Sequence, residues 1–411
     1  MRLTLVGLFM VGACHGGGPQ PNQIDAPGSD ADTSPDSNLG VASVLVQSSK
    51  RPSPVVAAPV LFTDASGASS EAHTDAMGRA NGLIPPGGSV TTELSETHFV
   101  TIADAMPGDH LTFGLGRFHD AGNVTVAFTA YDPSATYRLY SPCLSVDLAP
   151  PTTTVSLELC NGPISDTDVF IVAVTPTTTV TAGAHHVDLT SGAILVTEAW
   201  TPFRAIQASY TGISPQELAA YSYDVPEGYG SGGSLVTPSV TLMVPATVPT
   251  QLIRTDVELV TSDPTQRSQS VVDRIAPAVT TYALSSADLR PQITSVAYDA
   301  ATRTVSSTAP AALAGDIVIY ELIWGTSSAP CYWEIYAPRF EPFTLPALPP
   351  DMLDLPTVCG HPPTTGVTLY DDSSVTSWDD ARGRVFDLTS GLPLPANVPD
   401  RLYQQSLVIR N

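Results

Sequence analysis

Lysine is almost missing from this 411-residue chain: Lys50 stands alone beside sixteen arginines, and 17 basic residues face 40 acidic ones. A net charge of −23 argues against nucleic acid and anionic lipid as partners, since neither is drawn to such a surface. Charged residues of either sign make up only 14%, against about 25% in an ordinary globular chain. No apolar run approaches the roughly 20 residues a membrane-spanning helix needs. Close cysteine pairs of the C-x-x-C kind are absent, which removes zinc, and no metal ligand set is assigned. Neither G-x-S-x-G, H-E-x-x-H nor a P-loop occurs, so no catalytic residue is assigned from a motif. His73, His98, His110, His119 and His361 are scattered and define no triad.

What remains is rich in Thr, Val, Ala, Ser and Pro, the composition of an extracellular β-protein, because β-branched side chains suit a pleated, half-buried surface. Alternation is clear in Val124–Phe128, Val155–Leu159 and Leu252–Val260. DVFIVAVTP (168–176) and GDIVIYELIW (315–324) are more continuously apolar and read as strands buried between two sheets. ITSVAYDAATRTVSST (293–308) reads as a hairpin turning between Asp299 and Thr302, and SLVIRN (406–411) as a terminal strand. One helix is expected, with Ser214 as N-cap, Pro215 in the first position and Glu217 closing a capping box, ending before Val225-Pro226. The fold class is therefore all-β: two to three consecutive β-sandwich domains after a disordered acidic tether. Boundaries fall at 40–105, 106–205 and 206–411.

At the amino terminus, Arg2 precedes a short apolar run, Leu3–Ala13, and then a cysteine. This is the layout of an export signal, with residues 1–13 as the signal peptide. Val11-Gly12-Ala13-Cys14 resembles the lipobox of bacterial lipoproteins. That resemblance implies cleavage before Cys14, lipid on its thiol and an acylated new amino terminus. His15 rather than Asp comes next, which in that family points to the outer membrane. An ordinary secretory signal, with Cys14 incidental, is the competing reading. Residues 14–39 form the linker; 15–38 contain one large aliphatic residue, Ile24, and cannot offset their ordering entropy by burial. A flexible segment of that length reaches about 27 Å. Asp25, Asp30, Asp32 and Asp36 lack the glycine and closing glutamate of a calcium loop and read as a solvated acidic linker. No cofactor is expected beyond structural calcium in an acidic loop.

Four cysteines remain, Cys143 and Cys160, then Cys331 and Cys359. Three pairings exist, and the local one gives two disulfides in separate domains. Loops of about 18 and 29 residues would each stabilise by about 3 kcal/mol.

AAPVLFTDASG (57–67) and HTDAMGRANGLIPPGGSVTTEL (73–94) resemble the carboxypeptidase regulatory-like, or transthyretin-like, β-sandwich module. Pro59 and Val60 open a strand, Asp64 and Gly67 make its turn, and Thr74, Asp75, Gly78 and Ala80 match the second element. The resemblance covers residues 41–95 and implies a structural or binding accessory. It carries over no active-site residue.

Weaker patterns complete the reading. Gly228–Gly233 satisfies G-x-G-x-x-G, but Pro226 precedes it and strand-like LVTPSVTLMV comes after it, so a loop is expected. His185-His186 on a strand would point to opposite faces, and the pair reads as polar residues flanking a turn. Asp371, Asp372, Asp379 and Asp380 surround Trp378. They are the candidates of the alternative reading, a secreted polysaccharide-acting hydrolase, against an exposed turn with a short helix capped at Ser377. Tyr229, Tyr332, Trp333 and Trp378 are the aromatics expected at a contact surface. The expectation is a protein anchored by lipid to the bacterial envelope and its outer membrane. Its role is binding, adhesion or structure without catalysis, with an envelope glycan or protein as partner.

Overall fold

The computed structural model describes residues 40–409 except 49–52, 115–117, 142–143, 161–164, 213–216, 225–229, 236–238, 247–250, 260–264, 327–328, 351, 353, 361–362 and 390–399. Cys14, its signal and tether, Cys143 and the side chain of Cys160 lie outside them, as does Tyr229. The described chain is all-β, and no described helix is long and apolar enough to cross a membrane.

The first strands are β1 (Gly40–Val46), β2 (Pro59–Thr63), β3 (Ser69–His73), β4 (Arg79–Ile84), β5 (Gly88–Ser95), β6 (His98–Ala105) and β7 (His110–Phe113). Next come β8 (Phe118–Phe128), β9 (Thr136–Ser141), β10 (Leu144–Leu148), β11 (Thr152–Cys160), β12 (Thr167–Val174), β13 (Thr179–Val187), β14 (Ala193–Val196) and β15 (Thr201–Pro202). After these are β16 (Arg204–Thr211), β17 (Glu217–Asp224), β18 (Gly230–Leu235), β19 (Ser239–Val244), β20 (Gln251–Leu259), β21 (Thr265–Ile275) and β22 (Thr281–Ser285). The last are β23 (Ser295–Asp299), β24 (Thr304–Thr308), β25 (Ile317–Thr326), β26 (Ala329–Ala337), β27 (Phe343–Thr344), β28 (Thr364–Asp372) and β29 (Arg401–Ile409). Three short α-helices lie among the described residues, α1 (Leu355–Cys359), α2 (Trp378–Ala381) and α3 (Val385–Thr389).

A twelve-stranded sheet, in the order β18-β17-β20-β21-β29-β28-β25-β26-β6-β5-β2-β3, takes strands from both the first and the last third of the chain. Its seam is the parallel pairing of β6 with β26, His98 opposite Tyr332 through Ile102 opposite Tyr336. Alternate residues feed two cores. Val318, Tyr320, Leu322, Trp333 and Phe99 enter the main core, while Ile317, Ile319, Val100, Ile102 and Tyr336 enter a second. The apolar run in β25 is the consequence, since both of its faces are covered. The second core is closed by the small sheet β4-β1-β7 and by α2 and α3. Arg382 locks that cover. Its side chain is 8% exposed, with Nη2 donating to Asp109 Oδ1 at 2.7 Å, Nε 2.7 Å from Oδ2 and Asp379 as a further partner.

The middle strands form a separate sandwich, β10-β9-β12-β13-β15 over β11-β8-β14. Val169, Ile171 and Ala173 of β12 point into its own core, whereas Phe170 and Val172 belong to the main core with Leu61 and Phe99. This double duty accounts for the unbroken apolar run of DVFIVAV.

The turns that carry the regulatory-like resemblance are built as their chemistry asks. Asp64 Oδ1 accepts from Ser66 N and Ala68 N, and Gly67 takes φ +88°. Asp75 Oδ1 does the same for Met77 N and Arg79 N, and Gly78 has φ +71°. The hairpin at 295–308 pairs Asp299 with Thr304. Cys331 and Cys359 form a disulfide, tying β26 to α1.

Two local expectations are corrected. Ser214 and Pro215 lie outside the described residues, and Glu217–Asp224, expected as helix, is the strand β17 between β18 and β20. Cap signals promise only a fraction of a turn, and a ladder on both sides outweighs them. Gly230–Gly233, expected in a loop, belongs to β18 at the edge of the long sheet, where a missing Cβ costs least.

Arg382→Ala leaves the Asp109 side chain, 12% exposed, with the Met106 N–H but without the Arg382 charge, and is expected to cost about 3 kcal/mol or more. Urea titration checks this, and the double variant with Asp109→Asn should lose less than the sum of the two single losses.

Candidate functional site

β14 is a short strand at the edge of its sheet, paired in parallel with β8 from Ala193 opposite Thr125 to Val196 opposite Phe128. The chain then leaves the sheet through Thr197–Trp200 before pairing again as β15. This departure opens a concavity of about 600 Å³, walled by Phe128, Pro151, Ala182, Val196, Glu198 and Trp200 among others. Trp200 is fixed on several sides. Its Nε1 donates to Thr129 O at 2.9 Å, and its ring packs 6.4 Å from Phe128, 6.0 Å from Tyr131 and 5.9 Å from Tyr137. Tyr137 in turn donates to Asp132 O at 2.7 Å, holding the 129–135 turn.

Glu198 belongs to the same wall. Its Oε2 accepts from Gly183 N at 2.9 Å, and a Cβ on residue 183 would stand only 2.9 Å from that oxygen, so glycine makes the approach. His185 lies beside it, Nε2 3.4 Å from Glu198 Oε1 and Nδ1 3.2 Å from Asp168 Oδ1. His186 turns to Asp166 at 2.9 Å, which raises its pKa by hydrogen bond and charge. The two histidines thus serve different carboxylates at an irregularity between β12 and β13. Among the described residues, no group of three or more His, Cys, Asp and Glu side chains is arranged to hold a metal ion.

The hydrolase candidates are engaged elsewhere. Asp371 pairs with Arg290, and Asp379 with Arg382. Asp380 binds Arg384 Nη2 at 2.8 Å, the main cause of its lowered pKa. Asp372 is buried and accepts from Ser374 N at 2.7 Å. The block is the capped turn of the other expectation, with Ser377 Oγ accepting from Asp380 N at the start of α2. One of the contact aromatics, Trp333, needs correction as well. Trp333 is fully buried and donates Nε1 to Thr101 Oγ1 at 2.9 Å, and Trp378 packs against the second core. Tyr332 does reach the surface, at 36% exposure.

A second cluster stands on the long sheet. Glu321 of β25 faces Glu334 of β26 directly across the ladder. Burial first, and the Glu334 charge second, push Glu321 up to about 7. Burial also works on Glu334, but His98, 3.3 Å away, and the Tyr336 hydroxyl at 2.8 Å outweigh it and hold Glu334 low. Gly366 on the next strand leaves Glu321 room, since a Cβ there would meet its Oε2 at 3.2 Å. Below neutrality the pair therefore holds a proton on Glu321, acid beside base.

Sequence reasoning missed both places. Glu321 and Glu334 are visible as single carboxylates inside IVIYELIW and CYWEIYA, but their opposition depends on register. The Trp200 concavity depends on a parallel pairing that no local pattern announces.

No family model matches this sequence, and no curated protein does. Among solved structures, the Bacillus anthracis TIE protein is similar over 60% of this chain and 50% of that one, at 9% identity and a TM-score of 0.15. The matched part thus spans half of that protein's length.

Because the folded pKa of Glu321 lies above the ordinary value of 4.5, the folded state gives up that proton later than the unfolded chain. Stability is then lost as pH rises from about 4.5 to above 7. Glu321→Gln should leave stability nearly unchanged near pH 4.5. At pH 8 it should add about 3 kcal/mol, read by urea titration at several pH values.

Proposed function

We propose that this chain is a lipid-anchored protein of the bacterial cell envelope that works by binding, with its ligand seated in the concavity beside Trp200. The observation that carries the binding role is the concavity itself. At about 600 Å³ it lies within the 300–1,000 Å³ range of small-ligand sites, with mostly apolar walls and few polar groups. Its aromatic wall is held in place before any ligand arrives, which lowers the ordering cost of binding.

The envelope location is supported by independent features. Val11-Gly12-Ala13-Cys14 has the form of a lipobox, and the acidic segment behind it has the composition of a spacer. A disulfide between Cys331 and Cys359 suits an oxidising compartment outside the cytoplasm. Several acyl chains, at about 0.8 kcal/mol per buried methylene, hold a protein firmly on a membrane. Partners of this reading are an envelope glycan or protein.

The test has two arms. Wild type should incorporate labelled palmitate and enter the detergent phase, and Cys14→Ala should do neither. An equally labelled Cys14→Ala protein refutes the anchor. Trp200→Ala keeps Cys14 and should keep the label, but should lose the envelope component crosslinked to wild type on intact cells. Unchanged crosslinking refutes the concavity as the contact.

A further inference from the structure

We propose that the concavity beside Trp200 is a site for an organic cation, a positively charged nitrogen carried on an apolar frame. The proposal rests on the binding role given above and specifies its ligand. Two features of the wall converge on it.

The first is aromatic. Phe128 and Trp200 border the space, and the Trp200 indole is held through Nε1 to Thr129 O at 2.9 Å. The negative face of an indole attracts a cation within about 6 Å of its centre, and more strongly where water is partly excluded. Ala127, Ala182 and Val196 supply the apolar surroundings that weaken competition from water.

The second is charge. Glu198 is the one Asp, Glu, Lys, Arg or His among the described residues lining the space. Its side chain is 37% exposed, and the groups on its carboxylate are the Gly183 N–H and the His185 ring. No lysine or arginine in the wall offsets it, and the chain as a whole carries −23. An entering anion would meet this field unfavourably. A neutral apolar ligand would strip water from Glu198 and offer nothing in return. A sugar brings several hydroxyls, each needing a partner once buried. Beyond Glu198, the side-chain hydroxyls available in the wall are those of Thr129, Thr152 and Thr197. A cation on an apolar frame satisfies the carboxylate and the indole together.

The test uses choline and its uncharged carbon isostere, 3,3-dimethylbutan-1-ol, titrated calorimetrically into the full chain. Choline should bind at least about tenfold more tightly than the isostere, a difference set by the charge alone. Glu198→Gln, whose amide oxygen can still accept from Gly183 N, should weaken choline about tenfold and leave the isostere unchanged. Trp200→Phe keeps an aromatic face and the packing, and should retain choline with a smaller loss. Equal binding of the two probes overturns the cation proposal while the concavity stands as an apolar site. If neither probe binds at about 10 mM, the cation proposal also falls. The Trp200→Ala crosslinking arm then decides the binding role separately.

Discussion

The parallel ladder between β6 and β26 is the constraint on which the rest of the fold depends. It brings Thr101 against Trp333 across 232 residues of chain, with the indole N–H buried on the threonine hydroxyl. Thr101 in turn shares a hydrogen bond with Thr91 at 2.8 Å. Parallel strands cannot be joined by a tight turn, so the intervening chain had to be folded elsewhere and returned. The middle sandwich and β16 to β25 occupy that interval. Phe99 and Trp333, 5.4 Å apart, then seal the seam from the main-core side. A polar pair so deep is stable because every hydrogen-bonding group in it has a partner, and the cost falls on whichever change removes one.

Placing these strands in the middle of a wide sheet forces both faces to be covered. On one side the small sheets and the outer face of β12 do this. On the other, β4-β1-β7 and α2-α3 cover part of the face, and Arg382 clamps the helices to the β6–β7 turn through Asp109. Glu321, Glu334 and His98 lie farther along the same strands than Ile319, Tyr336 and Val100, the nearest residues of that second core. Glu334 and His98 are each about a quarter exposed. Carboxylates can sit directly opposite one another here because one keeps its proton and the other has an imidazole and a phenol. Like charges in that register would otherwise oppose sheet formation.

Much of this architecture was legible locally. Alternation located β8, β11 and β20, continuous apolar runs located β12 and β25, and the Asp-Gly turns of 64–67 and 75–78 reflect the conformations those residues tolerate. Ser377 was readable as a cap. Failures arose where a distant strand outvoted a local signal. Glu217–Asp224 has helix-starting residues before it, yet pairing with β18 and β20 makes it a strand. Trp333 looks like an adhesive aromatic beside Tyr332, but period-two alternation sends one into the main core and the other outward. Which face is buried depends on the strand that β26 pairs with, and that partner lies near residue 100.

The same dependence sets the character of the candidate binding site. Phe128 and Val196 meet because β14 runs parallel to β8, and Trp200 is positioned by the segment after β14 rather than by anything within that strand. The other face of this sandwich is already committed, through Phe170 and Val172, to the main core. Its sheets are therefore held from behind while the edge at β14 retains an open side. A concavity at such an edge can be shaped by four residues, Thr197–Trp200, without disturbing either ladder. The rigid part of the site is its indole, pinned through Thr129 O, and the charged part is Glu198, pinned through Gly183 N. Both pins are main-chain groups. Side-chain identity at 198 and 200 thus sets the chemistry of the concavity, while main-chain groups just past β8 and within β13 set where that chemistry stands.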